Sequence, residues 1–364
     1  MNIVMPFLFI LGVSIINFGL LTIIFSALIL LGGKRLLLRY SLSECCIYII
    51  FIGYLIIGWK FFEDSNDKLY LISFLYFCIA VIFAKIFLGF ERVYYIKAIE
   101  YFIYFYIAII ILQYILFFTF KIYLDFHNII TLGEYHSRIG SNTISSLGMI
   151  RATGLSIEPS NASSTIAYLI CLYFVLEDNI SKKYLILSPA ITLSFTSILV
   201  FIPVYFFSIL SGSFKKNSIL YLLLGCIVLY IGYIILEYRL SYDDYDAISF
   251  RSLIIYFLLE SNWVNLLIGH GIYMSEIPIQ LGNYTLYHSN IRDAGLFFNL
   301  IFSFGIPITV IFYYIFLKKL FSISILSAVL FVALGMLKFD YMQPIFWFVM
   351  SIIATYKPNN LRRY

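Results

Sequence analysis

The chain has 364 residues, of which 62% are hydrophobic and only 12% charged, and its mean hydropathy is +0.97. Soluble domains carry about 25% charged residues, so the ionic surface of a soluble enzyme is missing and that class is excluded. The net charge of +5 is scattered in pairs between apolar runs rather than gathered on one polar face, which argues against nucleic acid as a partner. A bilayer crossing takes about 20 apolar residues, so the composition has material for roughly ten and predicts an all-α, polytopic integral membrane protein, with about 11–12 transmembrane helices once a short-helix hairpin described below is included. Residues 1–364 read as a single domain embedded in a lipid bilayer.

Residues 1–33 carry no charge. This run is longer than a signal-peptide core and lacks its basic leader, so it reads as a retained first crossing, in one pass or as a tight pair. Further apolar runs occupy 43–59, 69–90, 98–120, 162–176, 184–213, 218–236, 294–317, 320–337 and 342–356. Two long polar segments, 121–161 and 237–293, lie between them.

Lysines and arginines concentrate in cytoplasmic loops, which orients the runs. Lys34, Arg35 and Arg39, Lys85, Arg92 and Lys97, Lys182 and Lys183, Lys215 and Lys216, Lys318 and Lys319, and Lys357, Arg362 and Arg363 mark cytoplasmic ends. The run 184–213 has a lysine pair at each end, which one crossing cannot satisfy. Its Pro189 and Pro203, with Ser188, Thr192, Ser194, Thr196 and Ser197 between and beside them, predict a hairpin of two short helices turning inside the bundle. Broken backbone at membrane depth is tolerated only where protein or a wet cavity surrounds it. With that hairpin both long polar segments emerge on the non-cytoplasmic side. So do all four histidines, His127, His136, His270 and His288, while 15 of the 24 Lys and Arg are cytoplasmic.

The first long segment ends in Arg151-Ala-Thr-Gly154-Leu-Ser-Ile-Glu158-Pro159-Ser-Asn161. Pro159, Ser160 and Asn161 supply helix-start chemistry, so Arg151 and Glu158 are expected at the membrane surface beside a helix N-terminus, a favourable place for an anion. The alternative is an interfacial arginine that snorkels or pairs with a carboxylate. In the second segment, Asp243, Asp244 and Asp246 read as a solvated face. An interfacial helix with Arg251 and Glu260 on an apolar surface is expected over 250–263. Gly269-His270-Gly271 allows a sharp turn, and Tyr287-His288-Ser289-Asn290-Ile291-Arg292-Asp293-Ala294-Gly295 is the densest polar cluster. Arg292 and Asp293 also read as a local ion pair capping the next helix. His127 and His136 are nine apart and His270 and His288 eighteen apart, with no paired cysteines; neither spacing is a metal pattern. No phosphate loop, nucleophile elbow or dinucleotide fingerprint occurs, so neither metal nor cofactor is expected.

Four local patterns then converge: Arg151-Ala-Thr-Gly154 with Glu158-Pro159 ahead of a span; Arg251 with Gly269-x-Gly271 downstream; His288-Ser-Asn290 followed by Asp293-Ala-Gly295 and Gly305-Ile-Pro307; and Gln343-Pro344-Ile-Phe-Trp347 at the last span. In these motifs, and in its topology, the chain resembles the bacterial O-antigen polymerases, the Wzy group, and the related O-antigen ligases. It departs from many relatives in Ser194-Phe-Thr-Ser197, which lacks their arginine, and Gly305 stands farther behind His288 than the ligases' glycine, which favours polymerase over ligase.

The resemblance implies metal-independent glycosyl transfer at the periplasmic face of a bacterial inner membrane. Donor and acceptor would be undecaprenyl-diphosphate-linked glycans, and a chain-length regulator protein would be a partner. Arg151, Arg251 and Arg292 would hold the diphosphate through planar, bidentate guanidinium groups. His288 would take the acceptor's proton, with Glu158 or Asp293 as substitutes, and Asp293 would orient His288 or pair with Arg292. A lipid-linked-sugar flippase or transporter is the alternative from another class, marked by internal repeats and by ionisable or broken positions in mid-span; no repeat is visible in the sequence.

Overall fold

Among the described residues, three helices are long and apolar enough to cross a bilayer: Arg92–Phe120, Pro159–Leu176 and Leu296–Ile323. They belong to a computed structural model that describes residues 3–14, 67–131, 133, 136–137, 150–177, 180–210, 230, 237, 247–271, 279–281, 284–286 and 291–356. In chain order the helices are α1 (Val4–Ser14), α2 (Asp67–Leu88), α3 (Arg92–Phe120), α4 (Phe126–Ile130), α5 (Pro159–Leu176), α6 (Phe195–Leu210), α7 (Ala247–Glu260), α8 (Trp263–Ile268), α9 (Leu296–Ile323), α10 (Ile325–Gly335) and α11 (Pro344–Thr355). A 3₁₀ segment, Ile180–Thr192, precedes α6. The expected crossing at 43–59, most of that at 218–236 and residues 15–33 lie outside the described residues.

The described residues are predominantly helical, as the all-α expectation has it, with one short hairpin beside the helices. Strands β1 (Ile279–Leu281) and β2 (Tyr284–Leu286) pair antiparallel in the second long polar segment, with Gln280 opposite Thr285. Two triplets of alternating pattern separated by Gly-Asn in the sequence carry the short-range hairpin signal.

The innermost helix is the most hydroxylated of the three long ones. All of α5 except Ser160 is buried, and it packs against α3, the 3₁₀ segment, α6, α10 and α11. The greasier α3 and α9 turn large apolar side chains outward, among them Phe105, Ile111 and Ile115 on one and Val310, Ile311 and Tyr314 on the other. This is the arrangement a lipid solvent favours, because outward apolar groups meet no penalty while hydroxyls must find partners inside. Ser163 donates to Ser160 O at 2.9 Å, the one Ser164 hydroxyl proton is shared between Ser160 O and Lys338 O, each at 2.9 Å, and Ser197 Oγ donates to Ser163 Oγ at 2.5 Å.

That last bond fastens a hairpin. The 3₁₀ segment and α6 pack on each other, separated by Leu193 in a left-handed conformation (φ 53°). The Lys183 ammonium bonds Ser208 O at the open end, so the lysine-flanked run folds back on itself. Its closed end touches α3, where the Tyr114 hydroxyl donates to Ile191 O at 3.0 Å, and the start of α5 at Ser163.

Helix breaks fall where the backbone demands them. In α9, Gly305 takes φ 79° and Pro307 follows, so the helix is interrupted without ending. It then runs past Lys318 and Lys319, which the apolar runs suggested as its limit, to Ser324. There the Ser324 hydroxyl accepts from Ser327 N–H at 3.0 Å and starts α10. Lysine is a good helix former, and Lys319 reaches Ala354 O from within the helix.

Candidate functional site

Three segments meet around Lys338. The first is the stretch before α5. Gly154, at φ 57°, lies so close to α3 that an added Cβ would stand 2.5 Å from the Tyr106 ring. Gly154 N–H donates to Gln113 Oε1 at 2.9 Å, Ser156 and Tyr106 share a hydroxyl bond of 2.7 Å, and Leu155 O bonds His127 Nδ1 at 2.9 Å. These contacts lock 154–156 on α3 and α4 and deliver Glu158 to the N-terminus of α5, where Pro159 occupies the first helical position.

The second segment is the entry to α9. Gly295 (φ 108°) sits against the carbonyls of Gly335 and Met336, each 3.1 Å from where a Cβ would be, and Leu296 N–H donates to Leu337 O at 3.0 Å. This close approach sets Asp293 beside the third segment, the crossover from α10 to α11, which carries Lys338.

The Lys338 ammonium lies 2.9 Å from Glu158 Oε2 and 2.8 Å from Asp293 Oδ1, with the three side chains 15%, 10% and 21% exposed. Ser160 Oγ also donates to Glu158 Oε2, at 3.3 Å. Arg292 Nε is 4.0 Å from the same Asp293 oxygen and makes no hydrogen bond. The closer partner of Asp293 is therefore Lys338, not the adjacent arginine that local capping suggests.

Two buried amides are unsatisfied. Asn299 is fully buried, with neither amide atom hydrogen-bonded, and the buried Gln343 has an unbonded Oε1. Asn299 lies on α9 between Leu296, which bonds Leu337, and Ser303, whose Oγ accepts from the Tyr341 hydroxyl at 2.7 Å. Residues three, four and seven apart share a helix face, so Asn299 lies on the face crossed by the segment that carries Lys338. A buried amide without a partner costs about 1–3 kcal/mol.

The Gly269-His270-Gly271 motif seats on the break in α9. His270 N–H donates to Phe302 O at 2.7 Å and Gly271 N–H to Ser303 O at 3.2 Å, supplying partners to carbonyls at the interruption. The His270 ring stacks on Phe302 at 4.3 Å. A Cβ on Gly269 would collide with Ser303 O, and one on Gly305 with Leu267 O; the glycines serve a backbone-to-backbone approach. Burial lowers the proton affinity of His270, opposed by its backbone bond to Phe302.

Of the residues singled out from sequence, Glu158, Asp293 and Arg292 come together. Arg151 lies on the α3 side, within electrostatic reach of Tyr114 and Tyr123. Arg251 belongs to α7, which packs against the turn at Arg292–Ala294. His288 lies outside the described residues. Lys338 was the residue that sequence reasoning missed. Its signal is its place: a lysine in a short polar stretch between two apolar runs, at the end of the run that the lysine pairs do not mark as cytoplasmic.

The fold and this cluster define a predominantly helical membrane protein with a buried, mixed-charge site between helix ends. No protein-family model, curated protein or solved structure matches the chain.

Proposed function

We propose that the protein is an O-antigen polymerase of the Wzy type, which joins undecaprenyl-diphosphate-linked oligosaccharide units at the periplasmic face of a bacterial inner membrane. The observation that carries this reading is the Glu158–Lys338–Asp293 cluster with Arg292 beside it. It gathers cations for a departing diphosphate and carboxylates for an acceptor proton. In the reaction the acceptor hydroxyl oxygen attacks the anomeric carbon of the donor glycan, the bond from that carbon to the phosphate oxygen breaks, and the electron pair leaves with undecaprenyl diphosphate. The hydroxyl proton passes to a base drawn from Glu158, Asp293 and His288. Fixed cations stabilise the charge building on the leaving phosphate more than they stabilise the ground state.

The test is reconstitution of the protein in phospholipid vesicles with the lipid-linked oligosaccharide of its host. A ladder of products, each longer by one unit, is expected. A single transfer to a lipid A core acceptor would make it an O-antigen ligase, and no new glycosidic bond at all would overturn the enzyme reading. One observation favours a flippase or transporter instead: the interruption of α9 at Gly305 and the folded-back hairpin are the kind of broken helices that carriers use. Movement of labelled lipid-linked oligosaccharide across the vesicle bilayer without chain growth would decide for it.

A further inference from the structure

Helix α9 is long enough to cross a bilayer, but its outward apolar face is not. Lys318 and Lys319 mark one boundary of the apolar layer, and Gly305 stands thirteen residues before Lys318, about 20 Å along the helix. The layer is about 30 Å thick, so about 10 Å of it extends beyond Gly305 toward Leu296, and a tilted helix would have still more of its length enclosed there. Large apolar side chains face outward only below the interruption, at Ile306, Ile308, Val310, Ile311 and Tyr314. From Leu296 to Gly305 every residue is buried or half-buried.

The cover over that stretch is α7 and α8. Ile254 and Leu258 of α7 are buried together with Phe302, and Phe257 packs on the same cluster beside Phe298 and Ile301. Helix α8 packs on α9, and the chain that follows it meets the interruption itself, with His270 N–H donating to Phe302 O and Gly271 N–H to Ser303 O. Gly269–Gly271 therefore lies at the depth of Ser303–Gly305. Farther along the chain, Arg292–Ala294 is back at the outer end of α9, where α7 also packs on it. The segment goes in and returns on one side.

The outer surface of this cover is apolar. Leu259 and Trp263 are 75% and 70% exposed, and Tyr256, Leu267 and Ile268 are exposed beside them. Glu260, Ser261 and Asn262 make the polar turn between the two helices, where Asn262 Oδ1 accepts from Val264 N–H at 3.4 Å and starts α8. The six residues of α8 span about 9 Å, close to the depth of the interruption below the surface.

We propose that α8 and Gly269–Gly271 form a re-entrant segment inserted into the non-cytoplasmic leaflet, with Leu259, Trp263, Leu267 and Ile268 in contact with lipid acyl chains. An interfacial helix over 250–263 would rest on the surface; this segment passes beneath it. Its exposed face is continuous with the lipid-facing side of α9, because Gly305 meets the Leu267 carbonyl and Ile306, the next residue, opens that side. An indole at the upper end and aliphatic groups at the lower end follow the polarity gradient of a leaflet. Irregular backbone at this depth is tolerated where protein surrounds it, and the interruption of α9 and Gly269–Gly271 cover each other. The proposal holds whether the protein extends a glycan or carries one.

The test uses the full-length chain in phosphatidylcholine vesicles whose acyl chains are brominated near the glycerol end or at mid-chain, since bromine quenches only an indole it touches. The chain has three tryptophans. Trp59→Phe with Trp347→Phe leaves Trp263 alone, and adding Trp263→Phe with Ile268→Trp moves the indole down α8. Trp263 should lose emission to the glycerol-end bromine, the indole of Ile268→Trp should lose more to the mid-chain bromine, and neither should respond to acrylamide in the water. Loss of both to acrylamide and not to bromine shows a surface in water and overturns the proposal. Protection from both quenchers shows a protein cover, a second copy or a partner, and overturns the lipid assignment. Equal loss of both indoles to the glycerol-end bromine alone shows a segment lying flat and overturns re-entry. If Ile268→Trp fails to fold, Leu267→Trp supplies the deep indole.

Discussion

Cations sit in two kinds of place in this molecule, and they do different things in each. Arg92 Nη2 donates to Leu176 O at 2.6 Å, Lys183 bonds Ser208 O and Lys319 bonds Ala354 O, so each lies on the C-terminal turn of α5, α6 or α11. There the partner is a carbonyl in the last turn of a helix, where the charge complements the negative end of the helix dipole. At the opposite end of α5, Lys338 faces two carboxylates. A cation that completes a helix end is structural; the one held between two carboxylates belongs to the cluster on which the proposed function rests.

This contrast can be broken first at its functional end. Glu158→Gln should lower glycan transfer by about 100-fold or more, the usual contribution of a positioned base, read from product ladders in reconstituted vesicles. Next in size come the glycines where α9 is interrupted. Gly305→Ala or Gly269→Ala puts a Cβ against backbone at positive φ and should destabilise by about 2 kcal/mol or more, measured as a lower midpoint of thermal unfolding in detergent. Ser197→Ala removes the bond to Ser163 that ties the hairpin to α5 and should cost about 1 kcal/mol in the same assay.

The contrast is sharpened by two smaller effects. Burial lowers the proton affinity of His127, against the opposing pull of its bond to Leu155 O and of Asp125. Its folded-state pKa thus lies below the unfolded value of about 6.5, so the unfolded chain binds more protons as the pH drops. The stability it contributes is complete above the unfolded value and is lost as pH falls through the window toward the folded one. Denaturant titrations between neutral and mildly acidic pH should show that decline, reduced in His127→Gln. Smallest of all, Arg92→Gln should cost about 0.5 kcal/mol through the lost helix-end interaction and leave transfer within about twofold. A loss of transfer as large as that of Glu158→Gln would show that the two ends are not divided in task.

Much of this was readable along the chain because its causes are local. Paired lysines at both ends of one apolar run demanded a fold-back, and the Ile180–Thr192 segment and α6 make one. Pro159 after Glu158 marked a helix start, and α5 begins there. Gly269 and Gly305 were visible as glycines, but not as partners; only their mutual backbone approach shows what they are for. The boundary of α9 was misplaced because a lysine pair suggested an end to an apolar run, although lysine does not stop a helix and Ser324 does. The pairing of Arg292 with Asp293 was read from adjacency and is present at 4.0 Å, but the nearer lysine from another segment was not visible along the chain.

Composition and charge order alone determined the class of protein, because a chain with so few charges has no other solvent than lipid, and they also marked which termini would be cationic. The partner of Glu158 and Asp293 was decided only in three dimensions. Propensity and periodicity act over a turn or two of chain, whereas the Lys338 ammonium finds its carboxylates because Gly295 lets the entry of α9 approach the end of α10 while Ser164 of α5 grips the crossover from the other side. Which charges meet at a site depends on which helix ends are packed together, and no short stretch of sequence contains that information.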